Sequence, residues 1–155
     1  MTPPTESFSD LTFDGTIKNA TGAGSLAYQF AQTANVVNTL TISNITTKKN
    51  FESCSGRLGG ILGSEDCGSY SFKLVATDIN LEANIIAKGS EYEFSGFITY
   101  LLEAEVLISD VTIGGKIYSA YTGAMGGFLG YNWANVYGSI KNVEFIDGTI
   151  YETSG

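Results

Sequence analysis

Residues 108–113 read ISDVTI, and the parity of their apolar side chains decides the fold. Val106 and Ile108 precede Asp110 by four and two positions; Val111 and Ile113 follow it by one and three. Along a straight strand one face carries i, i+2 and i+4. Ile108 and Val111 have opposite parity, so a straight strand buries one and exposes the other. The chain must therefore bend at Ser109-Asp110 for both halves to face one interior. Asp, Asn and Ser suit such a corner because they hydrogen-bond local backbone and tolerate unusual dihedrals.

The same pattern occurs in FSDLTF (8–13), ISNITT (42–47), ATDINL (76–81) and IKNVEF (140–145). The corner residues are Asp10, Asn44, Asp78, Asp110 and Asn142, at intervals of 34, 34, 32 and 32 residues. A second marker lies between the corners: TGAGSLAY from Thr21, GRLGGILG from Gly56, EFSGFITY from Glu93 and GAMGGFLG from Gly123. Each joins small residues to an apolar pair. Glycine permits a sharp bend or a close backbone approach, and the apolar pair begins the next strand. Strand, corner, strand, glycine-rich bend and strand predict an all-β chain. The architecture is a parallel β-helix (β-solenoid) with coils of about 32–34 residues, stacked at about 4.8 Å. Leu11, Ile45, Ile79, Val111 and Val143 then form one inward column. The stretch SLAYQFAQTANVV (25–37) alternates like a strand, yet its alanines and glutamines also permit a short helix; both readings stay open.

Gly60-Ile61-Leu62-Gly63 and Gly127-Phe128-Leu129-Gly130 resemble the GLUG motif, in which U is apolar. That motif often reads Gly-Gly-apolar-apolar-Gly before a strand such as GSIKNVEFIDGTI (138–150). Ser25 and Ser95 interrupt the double glycine in the first and third copies, and Tyr28 and Thr99 replace the last glycine. The resemblance implies an extracellular or cell-surface, adhesin-like setting. Residues 1–155 read as a single solenoid segment of about four and a half coils, the fifth stopping at YETSG. This predicts a fragment of a longer array, or a subunit whose end another chain covers.

Composition narrows the function. The net charge is −8, Arg57 is the single arginine and histidine is absent. An acidic chain without a basic stripe suits neither nucleic acid nor an anionic membrane surface. Lack of histidine removes the commonest general base and metal ligand. No apolar run approaches the roughly 20 residues of a membrane helix, so no direct membrane insertion is expected. No cofactor and no metal site is expected.

Cys54 and Cys67 bracket the second glycine marker, and a disulfide between them would imply an oxidising compartment. Asn19-Ala20-Thr21 and Asn44-Ile45-Thr46 are possible glycosylation sequons, which also arise by chance in a chain of this composition. Glu91/Glu93 and Glu103/Glu105 are spaced to share strand faces and could serve a glycosidase, or a lyase through bound calcium, but with no histidine and a single arginine in the chain they read as solvated surface charge. Tyr118, Tyr121, Tyr131, Trp133 and Tyr137 concentrate aromatic rings with polar handles in the C-terminal third, as ligand or partner contacts or as packing. The sequence thus predicts a non-enzymatic β-solenoid with an adhesive or structural role. Its partner would be a protein or glycan surface, or neighbouring coils. The alternatives are a polysaccharide-acting enzyme or its substrate-positioning module, and a filament subunit stacking end to end.

Overall fold

The computed structural model describes residues 5–31, 38–66, 72–87, 94–119, 125–126, 128–133, 135–146 and 149–152. Among them every regular element is a β-strand. The first repeat contributes β1 (Thr5–Phe13), β2 (Thr16–Lys18), β3 (Thr21–Gly24) and β4 (Ala27–Ala31). The second contributes β5 (Asn38–Thr47), β6 (Asn50–Gly59) and β7 (Leu62–Asp66). The third contributes β8 (Phe72–Leu81), β9 (Asn84–Ala87), β10 (Phe94–Ser95) and β11 (Ile98–Leu102). The fourth contributes β12 (Ala104–Ile113), β13 (Lys116–Ser119), β14 (Met125–Gly126) and β15 (Leu129–Trp133), and the fifth β16 (Tyr137–Phe145) and β17 (Thr149–Glu152). The stretch left open between strand and helix is therefore strand over Ala27–Ala31; residues 32–37 lie outside the described residues.

The strands form three parallel sheets. A five-stranded sheet runs β1-β5-β8-β12-β16 and a four-stranded sheet β15-β11-β7-β4. The eight-stranded sheet follows β14-β10-β6-β9-β13-β17, with β2 and β3 both on the long strand β6. Neighbouring strands thus come from successive repeats. Thr39 pairs with Thr5 and Lys73 with Thr39, a 34-residue step; Glu105 pairs with Lys73 and Tyr137 with Glu105, a 32-residue step.

The corner is a single residue in the left-handed region. φ is 57° at Asp10, 50° at Asn44, 55° at Asp78, 58° at Asp110 and 52° at Asn142. This is costly for most L-residues and least so for Asn and Asp, whose short side chains bond locally. Its effect is to switch side-chain parity within one strand. In β8, Phe72, Leu74 and Ala76 are buried before the corner, and Ile79 and Leu81 after it. β5 and β12 repeat the pattern. Leu11, Ile45, Ile79, Val111 and Val143 pair in register as one column. The middle three are buried; Leu11 and Val143, on the outermost strands, are half-buried.

Opposite this column, the apolar pairs of the glycine markers close the larger core. Ile61, Leu62, Phe97 and Ile98 are fully buried, and Phe97 stacks on Phe128 with centroids 4.9 Å apart and planes 9° from parallel. The glycines allow backbone to approach backbone. A Cβ on Gly60 would collide with the Gly96 carbonyl oxygen in the next repeat. Where serine replaces glycine its hydroxyl finds a partner: Ser25 Oγ meets Thr47 Oγ1 at 2.5 Å, and Ser95 Oγ meets Thr99 Oγ1 at 3.4 Å.

A smaller core lies against the eight-stranded sheet, built from Phe51, Cys54, Leu58, Ile85 and Ile117. Here the expected Cys54–Cys67 bridge finds no support. Cys54 is a free thiol, fully buried, with Sγ 3.5 Å from the carbonyl oxygens of both Ile17 and Glu52. It sits inward on β6 and fills core volume as a small apolar residue. Cys67 lies outside the described residues.

Candidate functional site

The residue that begins β6, the one that begins β9 and the one that begins β13 are Asn50, Asn84 and Lys116. Parallel pairing stacks Asn84 on Asn50 and, two positions along, Ile86 on Glu52 and Tyr118 on Ile86. The outer face of this sheet therefore carries a polar column beside one that becomes apolar. Asn50, Asn84, Ile86, Lys116 and Tyr118 line an open groove of about 640 Å³.

The amide row is ordered by its own bonds. Asn84 Nδ2 donates to Asn50 Oδ1 at 2.9 Å, and the Lys116 backbone N–H donates to Asn84 Oδ1 at 3.2 Å. Beside it, Ile86 is 40% exposed and Tyr118 half-buried. Among the described residues that line the groove none is a carboxylate, although the chain carries −8 overall. The nearest acid in the column, Glu52, is engaged by Lys18 Nζ at 2.8 Å; that bond and its charge raise the Lys18 pKa. An apolar and aromatic strip beside ordered amides and one ammonium can hold a ligand with an apolar face and several hydrogen-bonding groups.

A smaller trough of about 440 Å³ follows the corners and includes Asn44, Asp78, Asp110 and Asn142. Asn44 Nδ2 donates to Asp10 Oδ1 at 2.7 Å, and Asn142 Nδ2 to Asp110 Oδ1 at 2.9 Å. These bonds, followed by those from Ser9 and Ser109, hold the Asp10 and Asp110 carboxyls below the usual range. Among the described residues no group of three or more His, Cys, Asp or Glu is placed to hold a metal ion.

The aromatic residues singled out in the sequence are distributed over separate sheets. Tyr118 lines the groove. Tyr137 begins β16 and is 60% exposed on the five-stranded sheet. Tyr131 and Trp133 belong to β15, an edge of the four-stranded sheet, and Tyr121 lies outside the described residues. Asn19 is an exposed corner with φ 56°, and Asn44 is exposed with its amide nitrogen engaged by Asp10. Glu103 occupies a corner of its own, φ 51°, between β11 and β12, so it does not share a strand with Glu105. Glu105 instead pairs with Lys73 at 3.1 Å. Glu91 and Glu93 lie outside the described residues. The Arg57 guanidinium lies 3.8 Å over the Tyr100 ring, a cation–π contact that ties β6 to β11.

Asn50, Asn84, Ile86 and Lys116 did not emerge from motif reading. Their signal was positional: each stands six or eight residues past a corner. Comparison with family models, with curated proteins and with solved structures found no match.

Proposed function

We propose that the chain is a segment of a parallel β-solenoid with coils of 32–34 residues, acting without catalysis at an extracellular or cell surface, in adhesion or in building a surface structure. The architectural part is supported by parallel registers that step through successive repeats on all three sheets. The location follows from the GLUG-like stretches at Gly60–Gly63 and Gly127–Gly130. The observation that carries the contact role is the groove of Asn50, Asn84, Ile86, Lys116 and Tyr118. Its partner is a glycan or protein surface that lays an apolar face on Ile86 and Tyr118 and bonds to the amides.

The test compares the parent chain with Tyr118→Ala and Lys116→Ala in adhesion to immobilised polysaccharides and to cell-surface protein extracts. Circular dichroism verifies the fold of each variant. An aromatic anchor at a true interface costs about 2 kcal/mol or more when truncated, some thirtyfold in affinity. Binding that survives both changes at full strength refutes the groove as the contact site. Polysaccharide cleavage by the purified chain, lost on replacing Glu105, would refute the non-enzymatic reading.

A further inference from the structure

The groove crosses strands that are paired on both sides. β6 at Asn50 lies between β2 and β9, β9 between β6 and β13, and β13 between β9 and β17. Their backbone groups are spent on neighbouring repeats, so a ligand meets side chains and does not add as a strand. The groove has two rows. One is Asn50, Asn84 and Lys116; the other includes Ile86 and Tyr118. Each row steps about 4.8 Å from repeat to repeat, and the rows lie two positions apart along each strand, about 6.6 Å. A trough of that shape fits a narrow linear chain laid along the stack of coils.

The bonds inside the polar row fix which groups face a ligand. The Lys116 backbone N–H can only donate, so Asn84 turns its Oδ1 toward it. Asn84 Nδ2 then faces Asn50 and donates to its Oδ1. Both amide oxygens are thereby engaged. Asn50 Nδ2 and the second N–H of Asn84 donate to nothing among the described residues. The spare capacity of the row is in donors.

Lys116 adds a cation to those donors. Lys18, Lys48 and Lys73 each reach a glutamate one repeat on: Glu52 at 2.8 Å, Glu82 at 3.9 Å and Glu105 at 3.1 Å. The residue one repeat on from Lys116 is Thr149, and among the described residues no carboxylate engages its ammonium. An ammonium beside spare N–H donors complements an anion whose charge rests on oxygens.

We propose that the groove binds an acidic glycan, a linear chain of uronate sugars running along the stack of coils. This deepens the reading of the groove as the contact site and rests on it. A uronate carboxylate meets the Lys116 ammonium. Ring hydroxyl oxygens accept from the Asn50 and Asn84 amides, and the C–H face of a sugar lies on Ile86 and Tyr118. A uronate unit joins carboxylate, hydroxyls and apolar face in one ring, as two closely spaced rows require. An extended acidic peptide carries its apolar and charged groups on separate side chains that alternate between opposite faces.

Isothermal titration calorimetry on the full chain with oligoglucuronate, its methyl ester and oligoglutamate tests this. The ester keeps the ring and its hydroxyls and removes the charge. Oligoglucuronate should bind about tenfold more tightly than either of the others. Lys116→Met should abolish the preference for acid over ester. Asn84→Asp should weaken acid binding more than ester binding. Its carboxylate still accepts the Lys116 N–H but cannot donate to Asn50, which must turn its amide and present oxygen to the ligand. Tyr118→Ala should weaken both sugars alike, and circular dichroism verifies the fold of each variant. Equal affinity for acid and ester, both reduced by Tyr118→Ala, overturns the acidic specificity and leaves the groove as the contact site. Sugar binding indifferent to Tyr118→Ala and Lys116→Met overturns the groove reading itself. Absence of oligoglucuronate binding, or oligoglutamate bound as tightly, overturns the proposal.

Discussion

Replacing Ile79 by alanine tests the parity switch at Asp78 directly. Ile79 is 2% exposed and lies between Ile45 and Val111 in one column. The change removes three carbons, about 2.4 kcal/mol at roughly 0.8 per methylene. The cavity adds to this, because hydrogen bonding holds the strands about 4.8 Å apart and limits collapse of the neighbours. A loss of about 3–4 kcal/mol follows. Val143→Ala, in the same column but half-buried on the outermost strand, should lose about 1 kcal/mol. Asn80→Ala, one residue from Ile79 and facing outward, should stay within about 0.5 kcal/mol. Its side-chain amide donates to the exposed Glu82, at 2.8 Å. Equilibrium urea unfolding followed by far-UV circular dichroism measures all three, with the slope checked for constancy so that midpoints report stability. A heat scan should place Ile79→Ala about 10 °C below the parent. If Asn80→Ala costs more than Ile79→Ala, the strand runs straight through Asp78 and the corner reasoning fails. Equal costs at Ile79 and Val143 would mean that the column is not a buried stack.

Gly60→Ala should destabilise by about 2 kcal/mol or more in thermal melts, because its new Cβ meets the Gly96 carbonyl oxygen, which belongs to backbone and cannot swing aside. Cys54 should resist alkylation in the native protein and react once urea unfolds it, as read by peptide mass mapping, because its thiol is wholly buried. Asp10 and Asp110 have folded pKa values lowered by their amide and hydroxyl partners. Their contribution is therefore complete above the ordinary carboxylate pKa and is lost as pH falls through the folded values, below about pH 4. In Asp10→Asn/Asp110→Asn the acid-side fall in unfolding midpoint should be shallower than in the parent.

The fold was legible because parity is a strict constraint. Ile108 and Val111 cannot share a face of a straight strand, so a corner had to lie between them, and Asp110 adopts the left-handed backbone that supplies it. The spacing of corners was legible for a related reason. Parallel pairing turns sequence separation into register, and intervals of 34 and 32 residues reappear as the paired residues of β5, β8 and β12. Other corners were hidden. Asn19 and Glu103 also have positive φ, but neither stands in the shared pattern, and Glu has no particular affinity for that conformation. The cysteine pair misled because flanking a glycine bend says nothing about which way a side chain points. Cys54 points into the core with Phe51 and Leu58.

The groove was harder to read for a physical reason. Inward columns are held to apolar residues by stacking, so they repeat and can be aligned. Outward columns carry no such constraint, and a site built on them appears as a departure from the repeat. One column shows this residue by residue: Lys18 and Glu52 form an ion pair, then Ile86 and Tyr118 continue the same line of side chains. The change occurs where Asn50 and Asn84 bond to each other alongside. Aromatic residues counted along the chain pointed to Tyr118 and Tyr137 together, yet these occupy different sheets. Counted down columns they separate into two surfaces. Tyr118 stands beside ordered amides, in surroundings that suit a polar ligand with an apolar face. Tyr137 stands near Ile140 on β16, the outer strand of the five-stranded sheet. The two residues therefore make different predictions: Tyr118→Ala should impair ligand adhesion, and Tyr137→Ala, on a different sheet, should leave it intact.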